Sequence, residues 1–198
     1  MHSRPHASLV VALALAAACA HAQAPSSSKL PPEPPPTPLP AEFSDEARRA
    51  YAAGIKEARE LLAQKRYDDA IARLERLSRE RPREPQARFL KAVAEGEAGK
   101  SDAALATLTG LVADFPELPE VHNNLAVLHA ARGNLDLAKT ELELAIAAAP
   151  DYAPAVENLG DVYVRLAARQ YERAQTLEKG KGNAPAKLKL ARDTLAVR

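Results

Sequence analysis

Tryptophan is absent from this sequence, cysteine and methionine occur once each, and aromatic residues make up only 4% of its 198 positions. No stretch alternates Val, Ile, Thr or aromatic residues with polar ones, so half-buried strands lack their usual pattern. The formal net charge is +1, which gives bulk electrostatics no hold on nucleic acid. The one cysteine, Cys19, lies in the first apolar stretch. If that stretch is removed, no thiol remains, which excludes disulfides and thiolate metal sites in the mature chain.

What is present is Ala, Leu, Glu and Arg: 46% of residues are hydrophobic and 27% charged, a composition that favours helices. The first 22 residues differ from the rest. Arg4 supplies a short positive segment, Ala7 to Ala20 is apolar, and Ala20-His21-Ala22 is a small-x-small site. The apolar run is shorter than the roughly 20 residues a bilayer span needs. It predicts a signal peptide over 1–22, with cleavage before Gln23 and periplasmic or secreted localisation. Ala16-Ala17-Ala18-Cys19 also resembles a lipobox, with Ala16 where Leu is usual, so a membrane-anchored lipoprotein lipidated at Cys19 is the alternative. Residues 23–41 follow as a linker. Eight of the eighteen residues from Gln23 to Pro40 are proline, which fixes φ and removes N–H donors, predicting an extended spacer.

Beyond the linker the sequence repeats. Pro82, Pro116 and Pro150 are 34 residues apart, as are Ala70, Ala104 and Ala138, and Leu74, Leu108 and Leu142. Lys65, Gly99 and Gly133 mark intervening turns at the same step. Two helices of 12 to 15 residues with two tight turns fill such a unit, the small Ala permitting close helix approach and the Leu filling the groove. Proline closes each unit, since it cannot continue a helix.

These columns resemble the tetratricopeptide-repeat (TPR) family. Repeat three carries Leu125-Ala126, Gly133, Ala138, Leu142, Ala145 and Pro150; a fourth helix A carries Asn158-Leu159-Gly160 and Tyr163. The family's usual Trp in helix A is replaced by Gly54, Arg88, His122 and Val156, which predicts weaker packing there. The resemblance implies an all-α, right-handed helix-turn-helix solenoid over 42–198. Its repeats are expected at about 51–84, 85–118 and 119–152, with a partial repeat at 153–178. No Gly or Asn interrupts Asp161 to Glu178, so one long helix is expected from about Ala153 to Leu177. After Gly180-Lys181-Gly182, Asn183 suits an N-cap and Pro185 a first turn, so a capping helix is expected within 184–197, written most narrowly as Ala186 to Ala196.

The resemblance implies binding rather than catalysis, with no cofactor and no metal. His122 and His129 are seven positions apart on one helix, about 10.5 Å at 1.5 Å per residue, too far to share a zinc ion. The family binds extended peptides or helices along the inner face formed by its A helices, often through an Asn at the sixth position of helix A. That column reads Lys56, Leu90, Asn124 and Asn158, with the last two amides expected to point the same way. Asn123, Val127, Glu157, Asp161 and Arg165 are expected beside them. The implied partner is a protein or peptide of the cell envelope, with no nucleic acid and no membrane span. The Lys/Arg set that clamps a C-terminal carboxylate in some relatives is missing. Eight acids and two bases lie between Glu117 and Asp161, and nine bases and three acids between Arg165 and Arg198. This asymmetry suits an acidic partner, anionic lipid, self-association of the basic cap with the acidic third repeat, or only a solvated surface.

Overall fold

Three helix hairpins built from the columns above follow one another, and a fourth, longer one closes the series. The computed structural model describes residues 44–179 and 181–196, all within one unit, Leu39–Arg198. The expected signal peptide, its cleavage site, Cys19, the proline-rich linker and Gly180 lie outside the described residues. Among those described, every regular element is an α-helix: α1 (Asp45–Ala63), α2 (Tyr67–Glu80), α3 (Pro85–Glu97), α4 (Ser101–Asp114), α5 (Pro119–Ala131), α6 (Leu135–Ala148), α7 (Ala153–Leu177) and α8 (Ala184–Leu195). The protein is thus an all-helical solenoid of three A/B pairs (α1/α2, α3/α4, α5/α6), an extended fourth helix and a C-terminal helix. No helix among the described residues is long and apolar enough to cross a membrane.

Local chemistry sets the boundaries. Ser44 caps α1, its hydroxyl accepting from the Ala47 N–H at 3.1 Å, with Asp45 and Glu46 favourably placed near the positive end of the helix. Pro85, Pro119 and Pro154 occupy the first turns of α3, α5 and α7, where their missing N–H would have no partner anyway. Each A-to-B turn is the same double-bonded reversal. In the first, Lys65 N–H donates to Leu62 O and Arg66 N–H to Leu61 O, both at 2.9 Å; Gly99/Lys100 and Gly133/Asn134 repeat it. The motif places its pivot in the left-handed region, and Lys65, Gly99 and Gly133 have φ of 59°, 74° and 79°.

The repeat columns form the core. Ala70, Ala104 and Ala138 are at most 1% exposed, and Leu74, Leu108 and Leu142 at most 2%. Burying such a leucine contributes about 1.5–3 kcal/mol. Aspartates at the starts of B helices reach bases of the next repeat: Asp68 with Lys100, Asp102 with Arg132, Asp136 with Arg169. These exposed pairs each contribute at most about 1 kcal/mol. The aspartates recur at the 34-residue step, while the bases that meet them shift by a few positions.

Where tryptophan is missing, polar contacts tie the first three A helices to their B helices. A Cβ on Gly54 would come within 2.8 Å of Arg73 and Leu77, so Arg73 of α2 fills that space. Arg88 pairs with Asp114 of α4. His122, 4% exposed, has Nδ1 2.8 Å from Glu141 Oε2 of α6, and its Nε2 donates to the Pro116 carbonyl at 3.0 Å. The expected weakening is therefore offset by specific links in these repeats, whereas Val156 of α7 is half exposed.

The C-terminal helix begins at Ala184, two residues before the narrower expectation. Asn183 immediately precedes it, but in αR conformation and with no side-chain capping bond. An N-cap side chain reaches back to the N–H groups from an extended backbone, so the expected cap is not formed.

Candidate binding trough

The side chains of α3, α5 and α7 that point away from their B helices leave a trough with Val127 at its centre. On one side, Ala126, Val127, Ala130, Ala131, Asn158, Asp161 and Arg165 help line a depression of about 300 Å³ between α5 and α7, closed at one end by Leu195 of α8. On the other, Val93, Gly96, Glu97, Asn124, Val127 and Leu128 help line one of about 220 Å³ between α3 and α5. Val127 borders both and is 47% exposed, so an apolar side chain stands open between the two depressions.

The expected binding residues divide in two. Val127, Asn158, Asp161 and Arg165 border the larger depression and Asn124 the smaller. Asp161 and Glu157 are exposed, and no ion pair involves either among the described residues. Asn123, by contrast, is buried at 8%. Its Oδ1 accepts from Asn158 Nδ2 at 2.8 Å across the repeat boundary. Asn124 donates instead to the Glu120 carbonyl of its own helix at 2.7 Å. The expectation of parallel amides at Asn124 and Asn158 is thus corrected: one bonds within its helix, the other to a neighbouring side chain. Each keeps acceptor capacity, since only an N–H is used. Arg165 donates to the Ala130 carbonyl at 2.7 Å, which satisfies a backbone acceptor near the end of α5.

The sequence reading did not include Val93, Glu97, Ala130 or Leu195. Val93 lies 34 residues before Val127, and Glu97 one helical turn further, so the repeat step already contained that signal. Nothing in the pattern placed Leu195 here. Among the described residues no group of three or more His, Cys, Asp or Glu is arranged to hold a metal ion. Tyr152, just before α7, has its phenol raised above 10.0 by burial, aided by the negative charge of Glu120. The trough's chemistry is apolar contact plus amide, carboxylate and guanidinium hydrogen bonding.

Stacked hairpins with an open, partly apolar trough define a helical-repeat interaction module. A sequence model of the family described as tetratricopeptide repeat matches residues 61–123 and 95–161. The matches together span more than half of the 198 residues, and the chain belongs to the tetratricopeptide repeat family. No curated protein matches the sequence significantly. Solved structures of similar fold include a thermophilic TPR protein of Thermus thermophilus, 24% identical with a TM-score of 0.55, covering 73% of this chain and 82% of that one. Another is the type III secretion chaperone SycD of Yersinia enterocolitica in complex with a peptide of the translocator YopD (15%, TM-score 0.54, 64% and 98% covered). A third is the second TPR domain of human RPAP3 in complex with an HSP70 peptide (17%, TM-score 0.52, 58% and 97% covered). At these identities the likeness concerns the fold. TPR folds generally mediate binding of proteins and peptides.

Proposed function

We propose that this chain is a non-enzymatic adaptor of the bacterial cell envelope that binds a protein or peptide segment in the trough between α3, α5 and α7. The observation that carries this reading is Val127: an exposed apolar side chain joining two depressions, with hydrogen-bonding groups of Asn124, Asn158 and Asp161 around it. An extended segment could place a small apolar side chain on either side of Val127 and its backbone against the amides. The peptide complexes of SycD and RPAP3 support the mode, not the partner. Export rests on the residues Arg4, Ala7 to Ala20 and Ala20-His21-Ala22, which read as a signal peptide. Lipidation at Cys19 would instead make the chain an anchored scaffold of a membrane complex.

Two experiments test the reading. Photocrosslinking from the trough in envelope extract is compared between the full chain and Val127→Arg, an exposed change that leaves the fold intact. The partner captured by the parent chain should disappear with the arginine; equal capture by both sinks the trough as the site. Mass spectrometry of the mature protein should show an N-terminus at Gln23, whereas an acylated Cys19 would replace soluble export by anchoring.

A further inference from the structure

The fourth A helix lacks the cover that the first three have. Gly54, Ala58 and Leu61 of α1 are buried or half-buried against α2, and the same 34-residue steps give Arg88, Ala92 and Glu95 of α3, then His122, Ala126 and His129 of α5, all likewise covered. On α7 the corresponding residues are Val156, Gly160 and Tyr163. Val156 is 50% exposed and Tyr163 49%, and a Cβ built on Gly160 would meet nothing within 4 Å. Glycine in a helix interior costs about 1 kcal/mol relative to alanine. Nothing in this structure calls for it at 160, but a closely approaching second helix would.

An insertion explains the vacancy. α7 has 25 residues where α3 and α5 have 13. The B-helix pattern of α6, Ala138-x3-Leu142-x2-Ala145, recurs in α8 as Ala184-x3-Leu188-x2-Ala191. It arrives twelve positions later than the 34-residue step would place it, the same number by which α7 is extended. α8 therefore has the residues of a fourth B helix, but it lies on the distal half of α7. Lys187 Nζ sits 5.8 Å from the ring centroid of Tyr171, which is fifteen residues, or about 22 Å of helix, beyond Val156. The fit there is looser: Ala184, Leu188 and Ala191 are 7%, 5% and 8% exposed, against 0%, 1% and 0% for Ala138, Leu142 and Ala145.

We propose that the vacant face of α7 receives α8 of a second copy of this chain, so that two copies exchange their C-terminal helices. The pattern of α8 matches the slot: Ala-x3-Leu is common to α2, α4 and α6, and the closing Ala is that of α6, where α2 and α4 have Leu77 and Leu111. Charge favours the same pairing. α8 carries Lys187, Lys189 and Arg192 with a single acid, Asp193, whereas the slot lies near Asp151, Glu157 and Asp161, for which no ion pair is formed among the described residues. One slot and one matching helix per chain satisfy a closed two-fold exchange. The face adjoins the trough around Val127: Asp161 borders both, and Leu195 of α8 lines one end of the trough.

The third repeat supplies the test. There His122 touches Glu141; the corresponding residues of the exchanged pair are Val156 and Lys187. In the full chain carrying Cys19→Ser, Val156→Cys and Lys187→Cys, the two thiols cannot meet within one copy as folded here, since a disulfide needs Cα atoms within about 7 Å. Mild oxidation should give a covalent dimer that reductant returns to monomer, with neither single-cysteine variant crosslinking. In sedimentation the Cys19→Ser chain should show twice the monomer mass. Gly160→Arg, which enters open space and improves helix propensity, should keep the helical circular dichroism and return the mass to that of one chain. The proposal is overturned by no crosslink, by a crosslink within one chain, by dimers from either single-cysteine variant, or by a dimer that Gly160→Arg leaves intact.

Discussion

The turn column Lys65, Gly99 and Gly133 permits one test of backbone energetics in two directions. All three pivots have the same hydrogen bonds and a left-handed φ, yet one carries a side chain. At Gly99 an added Cβ would meet nothing within 4 Å, so Gly99→Ala introduces no clash and isolates the conformational cost. A left-handed residue with a Cβ costs about 1–2 kcal/mol. Restricting the unfolded chain returns about 0.4–1 kcal/mol, leaving about 1 kcal/mol of net destabilisation. Lys65→Gly should run the same balance in reverse and stabilise by up to about 1 kcal/mol, since the exposed Lys65 side chain takes part in no hydrogen bond or ion pair shown for this turn. For a domain of this size 1 kcal/mol moves the midpoint by roughly 2–4 °C. Thermal and urea unfolding followed at 222 nm would measure both, with unchanged urea m-values required for the comparison. A stability loss in Lys65→Gly, or no loss in Gly99→Ala, would refute the argument that the left-handed pivot sets the cost.

Leu108→Ala, at a position 2% exposed, should destabilise by about 2–5 kcal/mol in urea, since the central repeat packs on both neighbours and cannot easily collapse around the cavity. His122→Ala should cost about 1–3 kcal/mol in the same assay by removing the link between Glu141 and the Pro116 carbonyl; a smaller loss than that of the exposed Val127→Arg would show the link to be idle. Stability should fall in alkali. Burial pushes the Tyr51 phenol above 10.0, its hydroxyl facing the Ala87 backbone outside good hydrogen-bond geometry, and Tyr152 is raised as well. The unfolded phenols then ionise first, so this stability is intact below about pH 10 and is lost as pH rises through the folded values. Urea unfolding of Tyr51→Phe against pH should show a shallower decline, and an identical decline would assign the effect elsewhere.

The fold was legible because burial in stacked hairpins is periodic. Three residue types at one step of 34 can satisfy their columns only if each unit repeats the same hairpin, and Ala70, Leu74 and their successors are buried as that demands. The helix ends were legible wherever a residue has a backbone constraint, as at Gly99, Gly133, Pro85 and Pro119. Asn183 misled because a capping residue acts through its side chain, and the backbone conformation that permits the bond is set by the preceding loop. The direction of the Asn124 and Asn158 amides was illegible for a related reason. The step of 34 places Asn124 and Asn158 in one column, but an amide bonds to whatever is nearest, and across that repeat boundary the nearest group for Asn158 is Asn123.

The C-terminal hairpin was the least legible part because its information is one of length rather than type. Periodicity tells which residues of a helix share a face, and α7 buries Ala155 and Val162 while α8 buries Ala184, Leu188 and Ala191. It does not tell how far along α7 a partner helix docks. An antiparallel hairpin fixes that by connection: a helix that follows a short turn must pack next to the end it has just left. Extending α7 by twelve residues therefore carries α8 about 18 Å away from the start of α7, whatever pattern α8 has. The side chains still ask for the register of the three preceding repeats, while the turn at Gly182 imposes another. That conflict leaves Leu195 at the edge of the trough, and leaves Val156, Gly160 and Tyr163 uncovered. A second copy removes the conflict, because a helix that arrives from another chain is free of the turn and can take the register its residues specify.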